Sequence, residues 1–291
     1  MNKINSNPLY RLIVPKSIRT LIWKNYLQKK ILIHYENSKD QEIKDLVNNI
    51  KENGLKIISS KLKGDYDQDQ INVNYDVENK MKFVDFGINK RIYFKKNWSK
   101  KRIQKAFNQL LIEQDENSPH RYLTQKFNVN ENTVVADIGC AEANFSLDVV
   151  DKVKHIYLFE TNNVWEQPLK STFEKYKDKV TIVNKKFSNI DSKNSVNGSK
   201  FLLDKGVNFI KIDVDGYENE VMSNIEEMIT NSNDMKIALC TYHAQEDYSK
   251  YSKILKSFGF DVKHSKGYMI FYWDKNLKFP FLRRGLIRAK K

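Results

Sequence analysis

Two acidic side chains and a glycine, spread over about twenty residues, form the part of this sequence best suited to bind a ligand. The apolar run 134–138 contains Asp137 and is followed at once by Gly139. A second apolar run, 155–159, leads directly into Glu160. This spacing predicts a βαβ unit in which the glycine lets the backbone approach a nucleotide and the later carboxylate holds the ribose hydroxyls.

The sequence of the turn after the first run indicates which kind of nucleotide ligand it could bind. A dinucleotide-binding turn has the pattern G-x-G-x-x-G, whereas this turn is Gly139-Cys140-Ala141-Glu142-Ala143-Asn144, with one glycine and an added acid. The missing glycines argue against a pyrophosphate, and the acids Asp137 and Glu142 suit a positively charged ligand. S-adenosylmethionine, with its ribose, amino group and sulfonium, meets these requirements. The alternative is that Asp137 stabilises a helix N-terminus and Glu160 is an ordinary strand-end carboxylate.

Two further side chains follow later apolar strands. Asp213 ends the predicted strand 207–213, and His243 follows the predicted strand 236–241. The carboxyl ends of parallel strands meet at one edge of a sheet, so both residues are predicted to lie beside the cofactor. His243 is predicted to be the general base for an acceptor hydroxyl, because an imidazole pKa of about 6.5 suits proton abstraction near neutrality. Asp213 is predicted to assist it, and a purely structural histidine is the alternative.

The same two residues could instead belong to a divalent-cation site with Asp215 and Glu218, since carboxylate oxygens are the ligands that such cations prefer. Acids at the start of a helix are also favoured by the helix dipole without any metal. The prediction is therefore an enzyme without a metal ligand, and a divalent cation remains an alternative.

The elements that position these residues alternate between strand and helix. The predicted strands cover residues 134–138, 155–159, 180–184, 207–213, 236–241, 261–264 and 268–273. Only three residues join the last two strands, too few for a parallel crossover, so these strands must pair antiparallel. The predicted fold class is α/β: a Rossmann-like sheet of the class I methyltransferase type, with seven strands that are parallel except for one late strand.

The chain is predicted to have three parts. Residues 1–117 form an α+β region with a basic amphipathic start, a helix that ends at Gly54, a hairpin over residues 83–94 and a helix capped by Ser99. Residues 118–277 form the cofactor-binding domain, and residues 278–291 form a basic tail.

The net charge of +14 is concentrated at the two ends of the chain. Residues 1–30 contain seven Lys or Arg and no acid, and residues 278–291 contain six and no acid. Both segments mix these cations with aromatic and aliphatic side chains, a composition typical of segments on an anionic membrane surface. Terminal helices packed on the domain are the alternative. A third basic stretch, residues 90–105, could serve a phosphate-bearing or nucleic-acid partner.

The cysteines and the hydropathy pattern bear on location. Cys140 and Cys240 lie in predicted buried segments, which indicates free thiols in a reducing compartment. No apolar run is long enough to cross a bilayer, and the N-terminus has no apolar signal core. The prediction is a cytoplasmic protein, peripheral on the inner face of a bacterial plasma membrane.

Four motifs occur together in the second half of the chain. They are DIGCAEANFSL from Asp137, IYLFET from Ile156, FIKIDVDGYENEVM from Phe209 and TYHAQED from Thr241, with SPHRYL and FLRRGLIRAKK on either side. As a set they resemble the FkbM-type methyltransferase family, especially its members in bacterial polysaccharide and lipopolysaccharide biosynthesis. The resemblance covers residues 115–291 and implies methyl transfer from S-adenosylmethionine to a hydroxyl, usually on a sugar.

The motifs assign candidate site residues position by position. The cofactor is predicted to contact Asp137, Gly139, Ala141, Glu142, Asn144, Phe145, Glu160, Thr161, Phe187 and Ser188. The acceptor is predicted to contact His120, Arg121 and Tyr217, with the arginine gripping a phosphate or carboxylate. Two positions depart from the family pattern, which has glycine at Ala143 and a small residue at Tyr217. The bulk of the tyrosine predicts a different substrate preference.

The leading hypothesis is an O-methyltransferase that acts on a nucleotide-linked or lipid-linked sugar precursor of a bacterial surface polysaccharide or lipopolysaccharide. An RNA methyltransferase is an alternative because of the basic stretch 90–105, although a nucleic-acid partner is not the prediction. A non-catalytic, cofactor-binding scaffold at the membrane is the other alternative. The sequence does not predict an oligomeric state.

Overall fold

Helices and a small antiparallel sheet form the first part of the chain in the computed structural model, which describes residues 12–274 and 277–291. The elements are α1 (Lys16–Tyr35), α2 (Gln41–Asn53), β1 (Asn74–Asp76), β2 (Met81–Asp85), β3 (Arg91–Tyr93) and α3 (Lys100–Glu113). The sequence predicted the end of α2 at Gly54, whose N–H donates to the Ile50 carbonyl. It also predicted the β2–β3 hairpin and the Ser99 cap of α3, and all three are present.

Strands and helices alternate in the second part of the chain. The elements are β4 (Val134–Ile138), α4 (Asn144–Val149), β5 (His155–Phe159), α5 (Glu166–Thr172), β6 (Val180–Val183), β7 (Lys186–Ser188), β8 (Ser195–Asn197), α6 (Gly198–Leu202), β9 (Phe209–Ile212), α7 (Glu218–Asn224), α8 (Glu226–Thr230), β10 (Lys236–Cys240), α9 (Asp247–Ser257), β11 (Asp261–His264) and β12 (Leu286–Lys290).

Seven of these strands form one sheet in the order β11-β12-β10-β9-β4-β5-β6. β12 runs antiparallel to both of its neighbours, and the other pairings are parallel. A parallel sheet whose last strand is inserted antiparallel beside the fifth is the arrangement of class I methyltransferases. The predicted fold class is therefore confirmed.

The identity of the antiparallel strand was predicted wrongly. The sequence placed it at residues 268–273, where the structure has only isolated bridges from Met269 to Ile58 and Arg283. The strand is Leu286–Lys290, inside the segment that was predicted to be a basic tail. Its cations concealed it, because the run Leu-Ile-Arg-Ala-Lys lacks the apolar continuity expected of a buried strand.

Two arginines of this C-terminal segment make contacts within the protein, whereas Lys278 and Lys290 are exposed. Arg288 donates to the carbonyl of Tyr122, and Arg283, which is 3% exposed, donates to the carbonyls of Tyr242 and His243. Arg283 and Arg288 are therefore held by the protein itself, and membrane contact by the segment 278–291 stays a prediction. The first eleven residues of the other predicted membrane segment lie outside the described part of the chain.

Apolar side chains pack on both faces of the large sheet, alternating along each strand. On β9, Phe209 faces one core and Ile210 faces the other. The small sheet and α3 contribute Ile92 and Phe107 to the core that contains Phe209. Residues from this first part of the chain therefore share a core with the large sheet, and the boundary at residue 117 stays a prediction. No helix in the described ranges is long and apolar enough to span a bilayer.

One ion pair lies inside the sheet. Lys211 of β9 faces Asp137 of β4 in register, and its Nζ lies 2.9 Å from the Asp137 carboxylate. The same Nζ donates to the Gly139 carbonyl, and the Ser146 hydroxyl donates to Asp137. Burial alone would lower the pKa of Lys211, but Asp137 and Asp213 outweigh it and raise the pKa above the ordinary value. The pair thus joins two strands, the turn after β4 and the first turns of α4.

Replacing Lys211 with methionine tests this role. The substitution leaves the Asp137 carboxylate buried without its counter-charge, so the free energy of unfolding should fall by about 3–5 kcal/mol. Urea denaturation followed by circular dichroism measures it. Lys170→Met, which breaks the exposed contact with Glu166, is the matched control and should leave stability nearly unchanged. Equal small losses in the two variants would show that the buried pair is not needed for stability.

Candidate active site

The turn after β4 brings the backbone close to its surroundings. Gly139 has a φ of +75°, and a Cβ there would lie 2.0 Å from the Asp213 carbonyl oxygen, so only glycine fits. Ala141 and Ala143 also have positive φ, at 45° and 56°. This left-handed backbone is a physical reason for the glycine expected at Ala143, and alanine adopts it at a cost in strain.

A cavity of about 610 Å³ opens at the carboxyl edge of β4, β5 and β9. This volume lies in the range of small-molecule sites, about 300–1,000 Å³. Its lining includes five predicted cofactor residues, Gly139, Ala141, Glu160, Thr161 and Phe187, together with Asp213 and Tyr217. A larger cleft of about 1020 Å³ contains none of the predicted site residues. The sequence prediction therefore located a real cavity.

Glu160 is held firmly in the wall of this cavity. One carboxylate oxygen accepts the Ala141 N–H at 2.9 Å, and the other accepts the Asn162 N–H at 2.7 Å. The residue is 8% exposed. A carboxylate has about four lone-pair positions, so two remain to accept hydrogen bonds from a pair of ribose hydroxyls.

The other five predicted cofactor residues do not line the cavity. Asp137 is fully buried in the ion pair with Lys211, so it holds the turn instead of contacting a ligand. Phe145 is buried in the core. Ser188 is also buried, and its hydroxyl donates to Glu220 of α7. The remaining two are Asn144, which begins α4, and Glu142.

Glu142 lies near a cation from the first part of the chain. Burial raises the pKa of Glu142 to about 7, opposed by the charge of Lys95. Burial also lowers the pKa of Lys95, although Glu142 and Glu160 both favour its charged form. The ammonium group of Lys95 lies 4.2 Å from the ring centre of Trp165, in the segment that follows Glu160. The sequence did not predict that Lys95 would lie among the candidate cofactor residues.

Asp213 lies at the centre of a hydrogen-bonded cluster just beyond β9. Its two oxygens accept from the hydroxyls of Tyr122 at 3.0 Å and Tyr242 at 3.2 Å, and His120 Nε2 lies 3.6 Å away. Burial would raise the pKa of Asp213, but its contacts with His120 and Lys211 hold that pKa well below the ordinary value. Asp213 is therefore an ionised carboxylate in a fixed orientation, facing the cavity.

His243 lies among three carboxylates. Its Nε2 is 3.2 Å from Asp215 and 3.7 Å from Asp213, and its Nδ1 is 2.8 Å from Glu218. Burial would lower the pKa of His243, but these acids outweigh burial and raise the pKa to about 10. The structure thus brings the two predicted catalytic residues together. It removes the reason for choosing His243 as the base, because an imidazolium at neutral pH has no lone pair to accept a proton.

The three predicted acceptor-binding residues have different surroundings. The guanidinium of Arg121 donates to the carbonyls of Leu123 and Gln114, so it stabilises a loop and is not directed at a ligand. His120 is 2% exposed, and its ring contacts the Asp213 carboxylate. Tyr217 is 57% exposed at the rim of the cavity, so only this residue is placed to contact an acceptor directly.

One group of side chains in the described ranges could hold a metal ion: His120, Asp213 and Cys240. Burial raises the pKa of the Cys240 thiol well above its usual range, which opposes the thiolate form that a metal requires. In the alternative set predicted from sequence, His243 is protonated and is not a metal ligand in that form. The prediction of an enzyme without a metal stays a prediction.

Several cations of the basic stretch 90–105 make contacts within the protein. Lys90 pairs with Asp151 and donates to the Leu147 carbonyl, and the guanidinium of Arg102 lies over the Trp98 ring. The exposed cations of the stretch are Arg91, Lys96, Lys100, Lys101, Arg102 and Lys105. The contacts of Lys90, Arg102 and Lys95 give part of this stretch a structural role.

Besides Lys95, three residues of the site were missed from sequence. Lys211 had a visible signal, because a lysine within the apolar run Phe-Ile-Lys-Ile requires a buried partner. Tyr122 lies two positions after His120, and Tyr242 lies directly before His243. Nothing in the sequence showed that their hydroxyls would meet on Asp213.

No protein-family model and no curated protein matches the chain. Among solved structures, an FkbM methyltransferase from Methylobacillus flagellatus KT has 16% identity and a TM-score of 0.44, over 56% of this chain and 44% of that chain. The match therefore spans less than half the length of that protein.

Two other solved structures are similar at the same level. Precorrin-6y C5,15-methyltransferase from Geobacter metallireducens GS-15 has 16% identity and a TM-score of 0.38, over 57% of this chain and 85% of that chain. TrmK from M. capricolum, solved with S-adenosyl-homocysteine, has 16% identity and a TM-score of 0.35, over 58% and 69%. None of these likenesses identifies the family of the chain.

The raised pKa of His243 predicts how stability depends on pH. The folded-state pKa of about 10 exceeds the unfolded value of about 6.5, so the stabilisation is complete below about pH 6.5 and is lost as pH rises through about 10. His243→Gln should therefore lower the free energy of unfolding much more near pH 6 than above pH 10, as measured by urea denaturation. His155→Gln is the control, because burial lowers the pKa of His155 and reverses the sign. A loss independent of pH would contradict the protonated state of His243.

Proposed function

We propose that this protein transfers a methyl group from S-adenosylmethionine to a hydroxyl of a sugar-containing acceptor. The observation that supports it most directly is the ionised Asp213 in the wall of the cavity that Gly139 and Glu160 also line. This cavity lies at the carboxyl edge of a sheet with class I methyltransferase order, next to the strand pair β4 and β9.

The chain's own residues fit the cofactor. Glu160 has free lone pairs for two ribose hydroxyls, and Phe187 with Val221 gives an apolar wall for the adenine. The backbone of Gly139 and Ala141 approaches the same space without side-chain bulk. Bound S-adenosylmethionine supplies an activated methyl group on a positively charged sulfur. The lining has three carboxylates, Glu160, Asp213 and Asp215, and two lysines, of which Lys186 pairs with Glu220 and Lys185 donates to the Ser192 carbonyl. This excess of acid suits the sulfonium better than it suits a phosphate.

Asp213 aligns the acceptor in this proposal. Tyr122 and Tyr242 fix its carboxylate, which accepts a hydrogen bond from the acceptor hydroxyl and directs an oxygen lone pair at the methyl carbon. As the new C–O bond forms and the S–C bond breaks, the hydroxyl oxygen becomes a strongly acidic oxonium. Even a weakly basic carboxylate then accepts its proton. The imidazolium of His243 keeps Asp213 and Asp215 in place and takes no proton.

The sugar in the proposal rests on the motif resemblance and on the rim of the cavity. Tyr217 presents an exposed ring there, and the Asp215 side chain is 95% exposed nearby. A flat apolar face next to a hydrogen-bond acceptor suits a sugar ring, which has apolar C–H faces and hydroxyl edges. The acceptor class proposed is a nucleotide-linked or lipid-linked precursor of a bacterial surface polysaccharide or lipopolysaccharide.

Cofactor binding is tested by isothermal titration of S-adenosylhomocysteine. Glu160→Gln should raise the dissociation constant about ten- to a hundredfold, because the charged acceptor of the ribose hydroxyls becomes a neutral amide. Glu174→Gln, at an exposed position outside the cavity, should leave it unchanged. Circular dichroism checks that both variants are folded. An unaltered dissociation constant in Glu160→Gln would contradict the proposed cofactor site.

The role of Asp213 is tested by transfer of radiolabelled methyl groups to a bacterial glycan extract. Asp213→Asn should lower kcat about 10²–10⁴-fold, whereas Asp234→Asn, at an exposed position, should not. The activity of the unaltered protein should be flat from about pH 5.5 to 8, because Asp213 stays ionised across this range.

Two outcomes would contradict this mechanism. The first is a loss of activity as pH falls through about 6.5 that no longer occurs in His243→Gln. This result would identify His243 as the base. Label found in an RNA fraction, together with RNA affinity that falls steeply with salt, would replace the sugar by RNA.

A further inference from the structure

The helix α1 has apolar side chains on two opposite faces. On the inner face, Leu27 and Ile31 are 0% exposed and pack in a core with α2 and the segment 268–282. On the outer face, Ile18, Ile22 and Tyr26 follow one another at four-residue spacing, which places them on one side of the helix. Together with Leu21 and Ile33, these residues are between 37% and 63% exposed.

The exposure of this outer face is not due to a loosely attached helix. Trp23 Nε1 donates to the carbonyl of Tyr272 at 3.0 Å, and the Tyr35 hydroxyl donates to the carbonyl of Pro280 at 2.9 Å. These bonds and the buried inner face hold α1 on residues 268–274 and 277–282, near the middle of the helix and at its C-terminal end. The helix therefore presents a fixed apolar surface to the outside.

The segment that holds α1 also exposes two aromatic rings. Phe279 is 55% exposed, and its ring centre lies 4.4 Å from that of His34 on α1. Trp273 is 52% exposed next to Tyr272. Tryptophan, tyrosine and phenylalanine are side chains that membrane-binding surfaces insert at the level of the lipid headgroups. We call the residues Ile18, Leu21, Ile22, Tyr26 and Ile33 of α1 the docking face.

The charge around the docking face selects its partner. Between residues 12 and 35 the chain has the cations Lys16, Arg19, Lys24, Lys29 and Lys30 and no acid. A surface that combines exposed apolar groups with cations alone is complementary to an anionic bilayer, which offers an apolar interior beneath negative headgroups.

The docking face is directly connected to the acceptor side of the proposed active site. Phe271, two residues before Trp273, has its ring centre 5.3 Å from Tyr242 and 6.2 Å from His243. Arg283, four residues after Phe279, donates to the carbonyls of the same two residues at 2.8 Å. One segment thus contacts both α1 and the residues around Asp213.

We infer that the docking face binds an anionic membrane surface and that the acceptor is therefore a lipid-linked sugar rather than a soluble nucleotide-linked one. The second half of this inference rests on the proposed function, and the first half does not. Because Phe271 and Arg283 join the two sites, a protein bound through α1 holds the cavity at a fixed position relative to the lipid surface.

Co-sedimentation with vesicles tests the first half. The unaltered protein should bind vesicles of phosphatidylcholine and phosphatidylglycerol at least tenfold more tightly than vesicles of phosphatidylcholine alone. Ile18→Ser with Ile22→Ser should weaken this binding at least tenfold, as should Lys29→Gln with Lys30→Gln. The control is Ile88→Ser with Ile190→Ser, two exposed isoleucines away from the docking face, which should bind as before.

Two results would overturn membrane docking. The first is that the docking-face variants and the control variant bind vesicles equally, which includes the case in which none of these proteins binds. The other is a protein that forms dimers without lipid and loses them in Ile18→Ser with Ile22→Ser, which would assign the face to a second copy. The affinity for S-adenosylhomocysteine should be the same in all these variants, so a failure of docking is distinguishable from a failure of the cofactor site.

Methyl transfer tests the second half. The probes are a lipid-linked glycan fraction in vesicles and the same glycans released from their lipid. Ile18→Ser with Ile22→Ser should lower kcat/KM for the vesicle-bound probe at least tenfold and leave it unchanged for the released glycans. Equal rates with the vesicle-bound probe before and after substitution would show that the docking face does not deliver the acceptor. If no glycan is methylated while vesicle binding persists, the proposed function fails and the docking face stands.

Discussion

The buried pair of Lys211 and Asp137 is the interaction on which the rest of the site depends. It places one positive charge between two carboxylates, since Asp213 follows Lys211 by two positions and also raises its pKa. The ammonium group holds the carbonyl of Gly139, so the same charge fixes the turn that borders the cavity. A neutral side chain at this position would leave Asp137 without a counter-charge and the turn without its anchor.

Charges alternate outward from this pair to the rim of the cavity. Asp213 is followed by the imidazolium of His243, and His243 in turn contacts the exposed carboxylate of Asp215. Such an alternation keeps each buried charge next to an opposite one, so that none must be neutralised by a change in protonation. It also explains why His243, which the sequence suggested as the base, is protonated and cannot accept another proton. In the proposed mechanism, the group that accepts the proton is Asp213, the acid beside it.

What the sequence could predict was local. Gly139 and Glu160 line one cavity, and a short turn and a strand end define their positions without distant contacts. The hydrogen bond from Tyr122 to Asp213 joins residues 91 positions apart, and no pattern along the chain indicates it. The protonation of His243 depends on three acids from two segments, so its ordinary pKa was a poor guide. The strand Leu286–Lys290 was missed because its cations reach out to distant carbonyls from a buried backbone.

The position of β12 has a consequence for synthesis on the ribosome. β11 precedes β12 in the chain, yet in the sheet it pairs only with β12, which lies between it and β10. While the chain is being made, β10 therefore has an open edge and β11 has no strand to join until residues 286–290 emerge. An unpaired edge beside a fully buried strand is a site for wrong pairing with another nascent chain. The protein would acquire its last two strands together, in a single late step.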